Sequence, residues 1–271
     1  MKRIYFICFF SLIIGSSFAQ KLPDIQSASM IAPTGIRIDG KSTEWNDVFA
    51  AENRRTEVFY TLANDDKNLY LILKSANSNN TNKIMLGGVT FTINAEGKKR
   101  EKEGVSITYP LINRANRNQG GRTGQGQNRQ GGQGGFQNRN QQNPQQRDSI
   151  ALVARKAQLA GVKEIRVTGF KSITDSLISI YNEYGIKAVA NFNQKGEYVY
   201  ELAIPLSLID LKDKKEFVYQ LKLSGLSNMS FGGFGGGGNF GGGRLGAGGG
   251  NNSQDLMSPT DFWGKYILIK Q

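Results

Sequence analysis

An all-β fold, an antiparallel β-sandwich of the immunoglobulin-like or jelly-roll type, follows from three observations. Short segments alternate apolar and polar residues with a period of two along most of the chain. Clusters of Asn, Asp, Gly and Lys separate these segments at near-regular spacing. One stretch alone has a helical apolar period. The expected architecture is a sandwich with one short helix and two disordered low-complexity loop insertions.

Ile36-Arg37-Ile38 sets β-branched residues on either side of a charge, as an opening strand with one buried face does. Asp39-Gly40 turns the chain, and Trp45, one of two tryptophans, is large enough to plug the end of a core. Arg54–Ala63 and Leu69–Lys74 flank the turn cluster Asn64-Asp65-Asp66-Lys67-Asn68 and predict a β-hairpin. Gly88–Asn94 and Gly104–Leu111 are the next pair, with Pro110 marking an edge or an end. Asp148-Ser149 caps a helix over Ile150–Ala160, stopped by Gly161. Lys163–Lys171, Ile186–Asn193, Glu197–Ile204, Glu216–Leu223 and Lys265–Lys270 are further strands. Lys195-Gly196 turns between two of them, and Pro205–Ile209 makes a single helical turn.

Two segments depart from this pattern. Residues 113–147 are Gln, Asn, Gly and Arg with almost nothing apolar, and residues 228–254 are dominated by glycine. Neither composition can bury enough surface to offset its ordering entropy. Both are expected to hang as loops from one sandwich domain spanning residues 20–271. Without them the core is about 190 residues, an ordinary size for a single domain.

Residues 1–19 have the form of a secretory signal. Lys2-Arg3 precedes the apolar run Ile4–Ile14, and Ser17-Phe18-Ala19 supplies small residues for cleavage. The run is shorter than the roughly 20 apolar residues of a membrane span. The expected location is exported: periplasmic, cell-surface or extracellular. The single cysteine, Cys8, lies within the signal, so the mature chain has no disulfide to rely on.

The net charge of +12 falls to +10 once Lys2 and Arg3 leave. Residues 113–147 hold six arginines and no acid, so much of the basicity belongs to that insertion. Its tracts only approach an Arg-Gly-Gly pattern and carry Phe136 as the sole aromatic, and export argues against nucleic acid as a partner.

No reaction can be read from the chain. With no histidine and no mature cysteine, Ser-His and Cys-His nucleophiles and histidine-ligated zinc are excluded. Glu96, Glu101, Glu103, Glu197 and Glu201 occur singly on turns and strand starts, as solvated residues do. Met30, Met85, Met229 and Met257 stand isolated and do not predict haem ligation. No cofactor is expected. Calcium is the one metal with suitable donors, in Asp39, Asp65 and Asp66, joined by Asp261, although turn chemistry accounts for the same aspartates. The candidate ligand-binding aromatics are Trp263, Tyr60 and Tyr109, with Tyr70 and Tyr200 also available.

Ile38-Asp39-Gly40, Glu44-Trp45, Val58–Leu62 and Asp65-Asp66 before Leu69-Tyr70-Leu71 resemble the opening of family-9 carbohydrate-binding modules. Tyr200–Leu206 and Phe262-Trp263-Gly264 are similar to their close, and the wider group is the DOMON-like sandwiches. The resemblance covers both ends of Ile36–Ile269 and leaves the middle unmatched. It implies an extracellular sandwich whose relatives hold sugar ends between two exposed tryptophans, often with structural calcium. Here Trp45 falls at the position that looks structural in those relatives, so a two-tryptophan clamp is not evident. The resulting expectation is a secreted, non-catalytic domain that binds a polysaccharide or another cell-envelope component. The alternative is a structural or adhesive surface protein whose sandwich carries mobile loops.

Overall fold

The computed structural model describes residues 21–112, 143–211, 214–228, 256 and 258–270. Two antiparallel sheets face one another. The first runs in the order β1 (Ala51–Asn53), β2 (Val58–Asn64), β3 (Asn68–Ser75), β9 (Tyr198–Pro205), β8 (Lys187–Phe192). The second runs β11 (Thr260–Ile267), β10 (Glu216–Leu223), β4 (Val89–Asn94), β5 (Val105–Tyr109), β6 (Glu164–Thr168), β7 (Leu177–Ser179). Every ladder between these strands is antiparallel. The β-sandwich expected from the alternation is the fold observed.

The period-two pattern sets the core. Tyr198, Tyr200, Leu202 and Ile204 of β9 point into the sandwich, as do Phe217, Tyr219, Leu221 and Leu223 of β10, and all are buried. Near the middle the hydroxyls of Tyr60 and Tyr219 meet at 2.9 Å, joining the two sheets through a hydrogen bond. The Gln26 backbone N–H donates to the same Tyr60 oxygen at 2.9 Å. The last strand is also tied to the first sheet: Tyr266 donates its hydroxyl to Asn64 Oδ1 at 3.1 Å, and the Ile269 N–H reaches that oxygen at 3.1 Å.

Several local expectations are corrected. Ile36–Ile38 forms no ladder, and the first paired strand is β1; the N-terminal stretch instead crosses the outer face of the first sheet, where Trp45, Phe49 and Ala32 pack on Ala63, Ile72 and Val199. The helix at Ile150 starts earlier. It is α2 (Pro144–Ala160), with Asn143 as its N-cap and proline in its first turn. Asp148 and Ser149 therefore lie inside it, and residues 144–147, assigned by composition to the first insertion, are its opening turn. The rest of both insertions, 113–142 and 229–254, lies outside the described residues, as does the signal segment.

A second helix, α1 (Ser78–Gly87), connects β3 to β4 where polar composition gave no helical signal. The Asn77 side chain accepts from the N–H groups of Asn79 and Asn80, and Asn80, Thr81, Ile84 and Met85 form its buried side. Here the cap and tertiary packing outweigh an asparagine-rich run's low propensity. No helix among the described residues is long and apolar enough to cross a membrane.

Gly264, in the Phe262-Trp263-Gly264 motif, has a packing cause. A Cβ there would lie 2.4 Å from the hydroxyl end of Tyr219, the residue that bridges the sheets. Gly264→Ala is expected to cost about 1–3 kcal/mol by overpacking. Urea denaturation measures this; an unchanged midpoint would show that Tyr219 yields freely.

Candidate functional site

Alternation puts Val199, Glu201 and Ala203 of β9 on the face away from the sandwich core, where a carboxylate is ordinarily solvated. Glu201 is instead wholly buried beneath the N-terminal segment. One oxygen accepts from the Trp45 indole Nε1 at 3.0 Å. The other accepts from the backbone N–H groups of Asp39 at 2.9 Å and Gly40 at 2.8 Å. Burial pushes the Glu201 carboxyl above the usual carboxylate range, while the indole and the two N–H groups pull it back and the Asp39 charge adds to the rise.

This carboxylate presses the Asp39-Gly40 turn onto the first sheet. Gly40 has φ +77°, and a Cβ there would stand 3.0 Å from Asn191 Cβ on β8. Both the positive φ and the close approach call for glycine. Ile38, one residue before the turn, then becomes a wall of a groove of about 650 Å³ along β8, the outermost strand of its sheet. The C-terminal half of α2 and Val162-Lys163 form the opposite wall, and the β7–β8 loop closes one end.

That loop is braced by one side chain. Asn182 Nδ2 donates to the carbonyls of Ser179 at 2.9 Å and Ile186 at 2.8 Å, and its Oδ1 accepts from the Ile186 N–H at 3.2 Å. The bracing leaves the neighbouring Tyr181 ring on the groove's rim, 81% exposed. Tyr109 contributes to the lining from beneath. It is 4% exposed, stacks on Tyr200 with centroids 6.2 Å apart, and makes no hydrogen bond through its hydroxyl among the described residues. Burial pushes that hydroxyl up to about 12. Behind it the Tyr198 and Tyr200 hydroxyls are buried without partners.

The residues expected from sequence do not converge. Tyr60 takes no part in a surface platform, because it is wholly buried at the sheet–sheet contact. Tyr109 reaches the groove only as part of its lining. Trp263 lies half-buried on β11, on the outer face of the second sheet, opposite Gln220. Trp45 packs on the other sheet, so the two tryptophans cannot clamp a single ligand. The groove's exposed aromatic, Tyr181, lay in a stretch whose sequence gave no strand pattern; the turn-forming Asn182 and Gly185 were its available signal.

The aspartates are also separated. Asp39 accepts from the Lys41 N–H and pairs with its Nζ at 3.0 Å. Asp65 serves the β2–β3 turn, accepting from the N–H groups of Lys67 at 2.8 Å and Asn68 at 2.6 Å and from the Tyr70 hydroxyl at 2.9 Å. Asp66 lines a larger cleft of about 1200 Å³ with Asp65. Among the described residues no three acidic side chains gather as a metal site would require. The large cleft is neutralised from within: Lys171 pairs with Asp210 at 2.5 Å and Lys214 with Glu96 at 3.8 Å. Of the remaining glutamates, Glu101 pairs with Lys222, Glu103 with Arg100 at 2.7 Å, and Glu197 accepts from Asn193 at 2.7 Å.

No family model matches this chain, and no curated protein matches it. Among solved structures, it is similar to a family-9 carbohydrate-binding module from Caldicellulosiruptor kristjanssonii in complex with glucose. The identity is 11%, over 72% of this chain and 76% of that one, with a TM-score of 0.30.

Glu201→Ala would leave three buried donors unpaired and is expected to cost about 3 kcal/mol or more. Glu201→Gln keeps one acceptor oxygen and should cost about 1–2 kcal/mol. A carboxyl raised in the folded state favours folding when protonated. Wild type should therefore lose stability relative to Glu201→Gln as pH climbs from about 4 through the raised value. Urea titrations across that window check the sign; a difference growing with pH would contradict it.

Proposed function

We propose that this chain is an exported, non-catalytic binding domain for carbohydrate or another cell-envelope polymer, and that the groove along β8 is its site. The observation that carries this reading is Tyr181, 81% exposed at the rim of a groove that no carboxylate lines among the described residues. Sugar rings present a C–H face to an aromatic plane and hydroxyls around it. A groove with one open ring and partly polar walls matches that chemistry. Glycoside hydrolysis needs a carboxyl pair across the bond, and the described residues lining the groove supply none. Export is proposed from the basic, apolar and small-residue order of residues 1–19.

A glycan array followed by isothermal titration tests the reading. Tyr181→Ala should weaken binding about 5–10-fold, the loss of one aromatic contact of about 1–1.5 kcal/mol. Trp263→Ala, on the other sheet, asks whether the second face is the platform instead. Affinity lost in Trp263→Ala and kept in Tyr181→Ala would move the site, and no binding to any glycan would favour a structural carrier.

A further inference from the structure

The groove carries a charge pattern found in neither of the other clefts. Lys156 of α2, Lys163 at the α2–β6 junction and Lys187 of β8 come from three separate elements and border one space. Among the described residues no aspartate or glutamate lines it. The acids closest in sequence, Glu164 and Glu183, are not part of the lining. None of the three ammonium groups forms an ion pair among the described residues, whereas Lys171 and Lys214 in the larger cleft each have a carboxylate partner. Three exposed like charges border one groove, and among the described residues no carboxylate pairs with them. An anion entering the groove meets these charges, so charge favours an acidic occupant over a neutral one.

A second feature of the groove is independent of the lysines. Tyr109 is 96% buried, borders the groove, and its hydroxyl has no hydrogen-bond partner among the described residues. That hydroxyl is not one of the wholly buried unpartnered polar atoms, so it stays open to the groove, where a ligand's hydroxyl can meet it. Hydroxyl, aromatic rim and cations together suit an oligosaccharide with carboxylates at intervals better than an isolated anion. A lone phosphate would use neither Tyr181 nor the length of the β8 edge.

We infer that the groove binds a linear acidic polysaccharide of the uronate class. Lys156, Lys163 and Lys187 pair with its carboxylates, and Tyr181 stacks on a sugar ring. This inference rests on the carbohydrate-binding reading and narrows it to charged chains. The three lysines are exposed cations, so each contributes modestly, the effect accumulates over three, and salt weakens it.

The mature full-length chain is titrated with hexamers of galacturonate, guluronate and mannuronate, with fully methyl-esterified hexagalacturonate and with hexaglutamate, at low and physiological salt. At least one uronate hexamer is expected to bind and to weaken with salt. Hexagalacturonate should bind more tightly than its ester if it is the preferred chain. Each Lys→Gln change should weaken binding about 3-fold, and Lys156→Gln/Lys163→Gln/Lys187→Gln together about 30-fold. Lys214→Gln in the larger cleft serves as the control and should leave affinity unchanged. Circular dichroism confirms that these surface variants stay folded. Binding of neutral array glycans without uronates, or uronate binding indifferent to the triple variant, overturns the inference and leaves the carbohydrate reading standing. Equal, lysine-dependent binding of hexaglutamate means that the groove takes an acidic peptide along the β8 edge, which also overturns it. No binding to any sugar overturns both.

Discussion

The buried Glu201 carboxylate is the constraint on which the site depends. A carboxyl group removed from water is unfavourable unless donors surround it, and here three do so from a segment with no strand pairing at that point. The outer face of the first sheet would otherwise be a row of β9 side chains open to solvent. With the carboxylate in place, the Asp39-Gly40 turn and the Trp45 indole are fixed to the sheet. Hydrophobic packing of Trp45 and Phe49 on Ile72 and Val199 then adds area to what the hydrogen bonds orient. Removing one partner is worse than never having had the set, because the others remain buried and unmet.

From this node the groove follows by geometry. The turn presses Gly40 against Asn191 on β8, and Ile38 stands where it can wall the space beside that strand. An outermost strand is ordinarily a liability, with backbone groups open to any passing chain. Here α2 and the N-terminal stretch flank it and turn the edge into a bounded groove. The two clefts differ in charge. Where loops carry both signs, as around Lys171, Asp210, Lys214 and Glu96, they pair with one another. Around the β8 groove no described acid lines the space that Lys156, Lys163 and Lys187 border.

The sandwich was legible in the sequence because alternation survives in the long strands β2, β3, β4, β9, β10 and β11, whose buried rows are apolar or aromatic. The burial of Trp45 was also legible, since a large aromatic beside a turn is usually buried, but it packs on the outer face of the first sheet and does not plug the end of the sandwich core. The short elements were not. β1 and β7 have three residues each, too few for a period to show, and α1 depends on an asparagine cap and burial that composition hides. Alternation also could not separate Glu201 from a solvated glutamate, because what covers that face comes from more than 150 residues earlier in the chain. The same blindness to long-range cover put Tyr60 among surface candidates. Tyr181 escaped notice because exposure is a property of the braced loop and leaves no pattern in neighbouring residues.

Amide hydrogen exchange at Asp39 and Gly40 tests the Glu201 constraint most directly. If the carboxylate holds the turn, both N–H groups in wild type exchange as slowly as those of β9 itself, and in Glu201→Ala they exchange fast while β9 and β10 stay protected. Fast exchange of both amides in the wild-type protein would contradict the account, since the turn would then be resting on the sheet without being held by it.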